Sequence, residues 1–247
     1  MRIAVLSDIH ANIRALDAIL AQAGAVDAVW QLGDVVGYGP DPDAVIDRLR
    51  ERGAIGVRGN HDLAALGDDV IRDFNVDARA AMEWTRRTIS PASSEWLASL
   101  PARLTVDGWS LVHGSPRDPT WEYIVTEAAA AANLAVLPTP AGLFGHTHLP
   151  IAYVEPEGAA APRAEALETL TPLPGSTLAL QGRRALVNPG SVGQPRDGDP
   201  RASALILDSS GRVLTWIRAE YDIEATQRAM RAAKLPARGV SRLTFGI

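Results

Sequence analysis

The five histidines of this chain all fall inside short motifs that also carry Asp, Asn or Gly. They are His10 in Asp8-Ile9-His10, His61 in Gly59-Asn60-His61-Asp62, His113 in His113-Gly114, and His146 and His148 in Gly145-His146-Thr147-His148. Gly33-Asp34 places a further carboxylate between the first two. Imidazole nitrogen, carboxylate oxygen and one amide oxygen form a donor set that suits divalent transition metals. Two such ions side by side make a hydrolytic centre for phosphate esters. Each motif alone also has an ordinary reading. Asp8 and His10 could be a polar turn, Asp34 a turn or cap residue, His113 a satisfied half-buried histidine, and the His146/His148 pair incidental. Taken together, with no histidine left over, they favour metal.

The elements that must position these residues follow from hydrophobic periodicity. Ile3 to Leu6 reads as a buried strand, and Asn12 to Ala23 as a helix with Ile13, Leu16, Ile19 and Leu20 on one face. Val26 to Leu32 is a second strand, and a helix starts at Asp41-Pro42-Asp43. Ala54 to Val57 is a third strand. This alternation implies a parallel core with right-handed crossovers. Leu63 to Leu100 reads as irregularly helical, anchored by Trp84 and Trp96. Leu104 to Val106 and Trp109 to Val112 form a hairpin around Asp107-Gly108. A helix over Thr126 to Leu137 and a short strand over Gly142 to Phe144 follow. Later strands are expected at Ile151 to Val154, Thr177 to Leu180, Ala185 to Asn188, Ala202 to Leu207 and Val213 to Ala219, with a closing helix from Asp222 to Lys234. Glu155 to Pro174, rich in Ala, Pro and Glu, reads as an exposed mobile loop or hairpin tip. Trp30, Trp109 and Trp216 lie on strands and belong to the core. Every His or Asp motif follows the C-terminal end of a strand, the edge where open α/β sheets bind ligands.

Composition narrows the function classes. At 247 residues the chain fits one sizeable domain or two small ones, and 47% hydrophobic content allows a real core. With no convincing linker between independent domains, a single domain, 1–247, is expected. The net charge of −5 and the scattered basic residues disfavour duplex nucleic acid, which needs a concentrated basic face. Cysteine is absent, which removes disulfides, thiolate zinc sites and cysteine nucleophiles. The apolar start before Ser7 is too short for a signal segment, and no apolar run approaches the length that spans a bilayer. A cytoplasmic protein without membrane contact is the expectation.

The motif order Asp-x-His, Gly-Asp, Gly-Asn-His-Asp, His-Gly, Gly-His-Thr-His resembles the calcineurin-like metallophosphoesterase superfamily over Asp8 to His148. The segment Gly33 to Pro42, with His113-Gly-Ser-Pro-Arg117 and Asn188-Pro-Gly-Ser-Val-Gly-Gln-Pro-Arg196, is similar to its compact bacterial and archaeal branch. The resemblance implies an α/β fold, a four-layer αββα sandwich of two mixed β-sheets flanked by helices. It implies that Asp8, His10 and His148 hold one metal, that Asn60, His113 and His146 hold another, and that Asp34 bridges both. His61 is then the general acid or phosphoryl-stabilising group, and Asp62 orients its ring. Mn²⁺ is the first choice of cation, with Fe, Ni²⁺, Co²⁺ or Zn²⁺ as alternatives. The implied reaction is in-line attack of a metal-bridging hydroxide on a small, nucleotide-derived phosphoester, diesters being preferred over monoesters.

Other residues stay open between two roles. Arg117, Tyr123 and Arg196 are candidate substrate contacts, and Arg can clamp a phosphate bidentately. Asn188 to Arg196 is either a structural loop or a wall of the site. Tyr38, between Gly37 and Gly39, is either a turn residue or an aromatic wall. The chain departs from the protein Ser/Thr phosphatase motif Gly-Asp-x-Val-Asp-Arg-Gly: Gly33 to Gly39 reads Gly-Asp-Val-Val-Gly-Tyr-Gly, without the phosphate-binding Arg. This argues against a protein phosphatase and weakens the case for a dinucleotide tetraphosphatase. A non-catalytic protein-binding module on the same fold and a nuclease are the rival readings.

Overall fold

Four consecutive buried residues, Ile3 to Leu6, make β1 (Arg2–Leu6) a strand covered on both faces, as an unbroken apolar run requires. It pairs in parallel with β2 (Ala28–Gln31), which pairs in parallel with β3 (Ile55–Gly56). The computed structural model describes residues 1–67 and 69–247. Helices α1 (Ile13–Ala23) and α2 (Pro42–Glu51) make the two crossovers. Asn12 caps α1 by accepting from Ala15 N at 3.2 Å, and Pro42 opens α2. On its other side β1 pairs antiparallel with β11 (Ala202–Asp208), followed by β12 (Val213–Ala219) and β9 (Thr177–Ala179).

A second six-stranded sheet contains β4 (Arg103–Val106), β5 (Trp109–Val112), β6 (Ala141–Leu143), β10 (Ala185–Pro189), β7 (Pro150–Val154) and β8 (Glu168–Leu170), in that spatial order. Its inner strands β5, β6 and β10 run parallel, and its outer strands antiparallel. Ile3, Val5, Trp30, Trp109, Val187 and Trp216 meet in one apolar cluster between the sheets. Ala4 and Leu6, pointing the other way, pack on Leu16, Ile19 and Leu49 of α1 and α2. On the far side, Phe144, Tyr153 and Leu186 receive Ala130 and Leu134 of α6 (Glu127–Val136). The layers are therefore helix, sheet, sheet, helix, and Trp216 Nε1 donates across the inner layer to Asn188 O at 3.0 Å.

Three segments differ from the sequence reading. The helical stretch begins earlier, with α3 (Asn60–Ala65), and continues through a 3₁₀ turn at Asp69–Asp73 to α4 (Val76–Thr88) and α5 (Pro91–Ser99). The segment read as a loop or hairpin tip contains β8, which extends the second sheet beside β7. Beyond α7 (Ile223–Ala232) lies a further helix, α8 (Ala237–Phe245), docked through Val240 and Leu243 near Met230. Its apolar stripe is short and set among Arg, Gly and Ser, so periodicity alone does not reveal it. Among the described residues, no helix is long and apolar enough to cross a membrane.

Candidate dinuclear metal centre

The loops after β1 and β2 are zipped together by their backbones. Asp8 N donates to Gly33 O (3.1 Å), His10 N to Asp34 O (3.0 Å) and Ala11 N to Val35 O (2.9 Å). These bonds hold Asp8, His10 and Asp34 in the left-handed region, with φ of +51°, +48° and +52°. His146 and His148 adopt it as well, at +66° and +61°. The conformation costs a non-glycine residue about 1–2 kcal/mol, and such strain concentrates where side chains must be aimed. Gly59 fits under Asp34 because a Cβ there would collide with the carboxylate.

Side chains from both sheets meet in one buried group. Asp8 Oδ1 lies 3.3 Å from His148 Nε2, and His10 Nε2 lies 3.2 Å from His148 Nε2 and 3.7 Å from Asp34 Oδ2. Beside them, His113 Nε2 is 3.1 Å from Asn60 Oδ1, 3.0 Å from His146 Nδ1 and 3.4 Å from the same Asp34 Oδ2. All seven residues are buried, and Asp34 Oδ2 belongs to both clusters.

The hydrogen bonds behind these rings fix which nitrogen is free. His10, His113 and His148 each turn Nδ1 to a backbone carbonyl, of Val36 (3.2 Å), Leu32 (2.8 Å) and Gln194 (2.5 Å). A carbonyl only accepts, so Nδ1 carries the hydrogen and Nε2 of the neutral ring is a lone pair. For His10 and His148 those lone pairs face each other without a proton between them. Asp8 Oδ2 accepts from Ser7 Oγ (2.6 Å) and His146 N (3.1 Å), whereas Asp8 Oδ1 is buried with no hydrogen-bond donor among the described residues. Opposed lone pairs and an orphaned carboxylate oxygen are costly in a dry interior. A cation among these donors satisfies both, so the donor set fits divalent metal.

The ionisation of the metal-free group points the same way. Burial, with Asp34 adding repulsion, raises Asp8 to about 7. Burial works against charge on His113, but Asp34 and Asp8 outweigh it and lift His113 to about 9. Burial also pushes His10 and His148 well below their usual value, keeping both rings neutral. Cation uptake must therefore displace protons from Asp8 and His113. Apparent affinity should strengthen as pH rises towards 9, and weaken by about tenfold per unit for each proton retained at lower pH. Calorimetric titration in buffers of different ionisation enthalpy measures the protons released; an affinity flat between pH 6 and about 9 would contradict this account.

A cleft of about 350 Å³ opens over the donors, walled by Tyr38, His61, Phe74, Trp121, Tyr123 and Arg196. His61 sits in the first turn of α3. Its backbone N–H donates to Asp34 Oδ1 (2.9 Å), and its ring lies 4.6 Å from both Tyr38 and Phe74. Burial lowers its pKa to about 4. Tyr123 stacks on His146 at 4.0 Å. Tyr38 combines its two expected roles, as a left-handed turn residue whose ring also forms a wall. The Asn188 to Arg196 segment borders the donors: Ser191 Oγ donates to Asp8 O (2.8 Å), and Gly193 packs on Ile9 O.

Two expectations are corrected. Asp62 does not accept from the His61 ring; its carboxylate accepts from Gly59 N (2.9 Å) and Val36 N (3.1 Å), while His61 Nδ1 lies 3.2 Å from Met82 Sδ. Consecutive residues on a helix point in different directions, so Asp62 ties α3 to the loop after β2 instead. Arg117 is not in the cleft: it is half exposed and ion-paired with Glu122, whose carboxyl it holds down at about 2. Sequence reasoning also missed Met82 as the seat of His61 and Asn188 as a brace, donating to Gly145 O (2.8 Å) and Thr147 Oγ1 (3.1 Å).

The sequence profile of the calcineurin-like phosphoesterase superfamily domain matches residues 1–212. The chain belongs to this superfamily. This phosphoesterase is 42% identical to a metallophosphoesterase from Sphaerobacter thermophilus, with a TM-score of 0.90 over 100% of this chain and 99% of that one. An uncharacterised protein of Methanocaldococcus jannaschii is 32% identical over 99% of the chain and 98% of its own length. A symmetrical bis(5'-nucleosyl)-tetraphosphatase of Photorhabdus laumondii is 38% identical over only 68 residues, 26% of this chain and 25% of its own. The αββα architecture and these relatives identify a metal-dependent phosphoester hydrolase.

Proposed function

We propose that residues 1–247 form a single-domain, cytoplasmic phosphodiesterase that works with two divalent cations, Mn²⁺ foremost. The observation that carries this reading is Asp34 Oδ2, shared by two donor clusters at the floor of a cleft with His61 in its wall. Asp8, His10 and His148 would hold one ion and Asn60, His113 and His146 the other, with Asp34 serving both. A bound pair of such ions supplies Lewis acidity that makes water a competent nucleophile at neutral pH and offsets charge building on phosphoryl oxygens.

The chain's own groups do the rest. His61 points its free edge into the cleft, where it donates a hydrogen bond to a phosphoryl or leaving oxygen. An anionic substrate nearby favours the imidazolium and raises the ring's pKa from its buried value, towards use as a general acid. Arg196 lines the cleft wall and would contact the second substituent of a diester. Tyr38, Phe74, Trp121 and Tyr123 offer flat apolar faces for an aromatic group, which favours a nucleotide-derived ester. The partial match to a nucleosyl-tetraphosphatase supports the same substrate class.

Hydrolysis of bis-p-nitrophenyl phosphate and p-nitrophenyl phosphate, followed by absorbance with Mn²⁺, Zn²⁺, Co²⁺ or Ni²⁺, tests this. The expected result is metal-dependent turnover with the larger kcat/KM on the diester, abolished by a chelator. No turnover with any of these metals overturns the reading.

A further inference from the structure

Helix α8 brings Arg238 and Arg242, one turn apart, to the rim of the cleft that holds the metal donors. Residues four apart lie on one helix face, so both guanidiniums reach the same side. Among the described residues neither has an acidic group within ion-pair distance. Arg242 Nε donates only to the backbone oxygen of Ile247, and the Arg238 guanidinium makes no hydrogen bond. Asp73 and Asp77 border the same region without pairing to either one. Arg196 lines the same cleft from another loop, with a buried Nε that has no hydrogen-bond partner among the described residues. Burial, together with Arg196 and Arg238, lowers the pKa of Arg242 and outweighs the opposing influence of Tyr38 and Asp77.

The space continues beyond the cleft. A second cavity of about 320 Å³ shares Tyr38, Arg238 and Arg242 with it and extends along Val76 and Met230. The two arginines therefore stand between the metal donors and an additional volume, an arrangement that a lone phosphodiester group would not fill. Their helix also lies beyond residues 1–212, the part matched by the superfamily profile.

Building on the phosphoesterase reading, we propose that the preferred substrates carry a further phosphate besides the scissile one, bound by Arg238 and Arg242. Guanidinium and phosphate pair with charge-assisted hydrogen bonds. The reaction itself is unchanged: water adds to the scissile phosphorus, the leaving oxygen departs with its electron pair, and one proton is released.

A matched chromogenic pair tests this: thymidine 5'-(p-nitrophenyl phosphate) with and without a 3'-phosphate. The phosphorylated compound should show a kcat/KM at least about tenfold higher, the worth of one charge-assisted hydrogen bond. The Arg238→Ala/Arg242→Ala double variant should bring that ratio close to one, and the corresponding double Lys variant should retain part of it. In metal-free protein, thymidine 3',5'-bisphosphate should bind more tightly than thymidine 5'-monophosphate by a similar factor, and the double Ala variant should lose the difference. Turnover with no preference, or a preference that survives the double Ala variant, overturns this inference alone. No turnover of either compound with any metal overturns the phosphoesterase reading and this inference with it.

Discussion

Replacing His61 with Ala should lower turnover by about 10²–10⁴-fold while both cations stay bound. The ring is buried in a wall of the cleft, and its Nδ1 is turned towards Met82 Sδ. Nε2 is therefore the atom left for substrate. His61 also lies close enough to His10 and Asp34 to be grouped with them as a metal donor, so activity alone does not separate the two roles. Metal content does. The bond that His61 makes to Asp34 Oδ1 comes from its backbone N–H, so truncation to Ala keeps that restraint. A proton donor lost from the cleft leaves two ions per chain and a slow enzyme; a ligand lost removes an ion along with the rate. A fall of less than tenfold, or loss of metal in step with activity, would remove His61 from the donor role.

Much of this centre was legible in the sequence because metal donors are chemically unusual and strand ends are easy to read. Each of Asp8, Asp34, His113 and His146 follows a short apolar run, and each run is a strand. Their convergence was not legible, because it depends on strand order. β1, β2 and β3 belong to one sheet and β5, β6 to the other, and only the stacking of the two sheets sets His113 beside Asp34. The misassigned residues have local causes. Asp62 is adjacent to His61 in sequence, but its place in the first turn of α3 turns its carboxylate back to Gly59 N. Arg117 looked free until the loop brought Glu122 to it. Arg238 and Arg242 went unnoticed because the helix that carries them has few apolar residues to announce it.

Asp34→Asn should cost both ions and reduce turnover to background. One oxygen of this carboxylate serves the two clusters, 3.7 Å from His10 Nε2 and 3.4 Å from His113 Nε2. Asn keeps the size and one oxygen but gives up the charge that holds two dications together. Its amide also brings hydrogens into a space lined with lone pairs. Since Asp34 is a leading cause of the raised pKa of His113, the metal-free variant should also show the His113 titration moving down, visible by NMR of the imidazole. A second substitution separates charge from placement. Gly59→Ala alters no ionisable group, yet its Cβ would collide with the Asp34 carboxylate and approach Asp34 N to 2.5 Å. With backbone on one side and the rigid loop on the other, Asp34 has to move. Metal analysis of Gly59→Ala should therefore resemble that of Asp34→Asn, although every donor is still present. Two tightly held ions in either variant would mean that the shared carboxylate is not what keeps the pair together, and Asp34 would lose its bridging role.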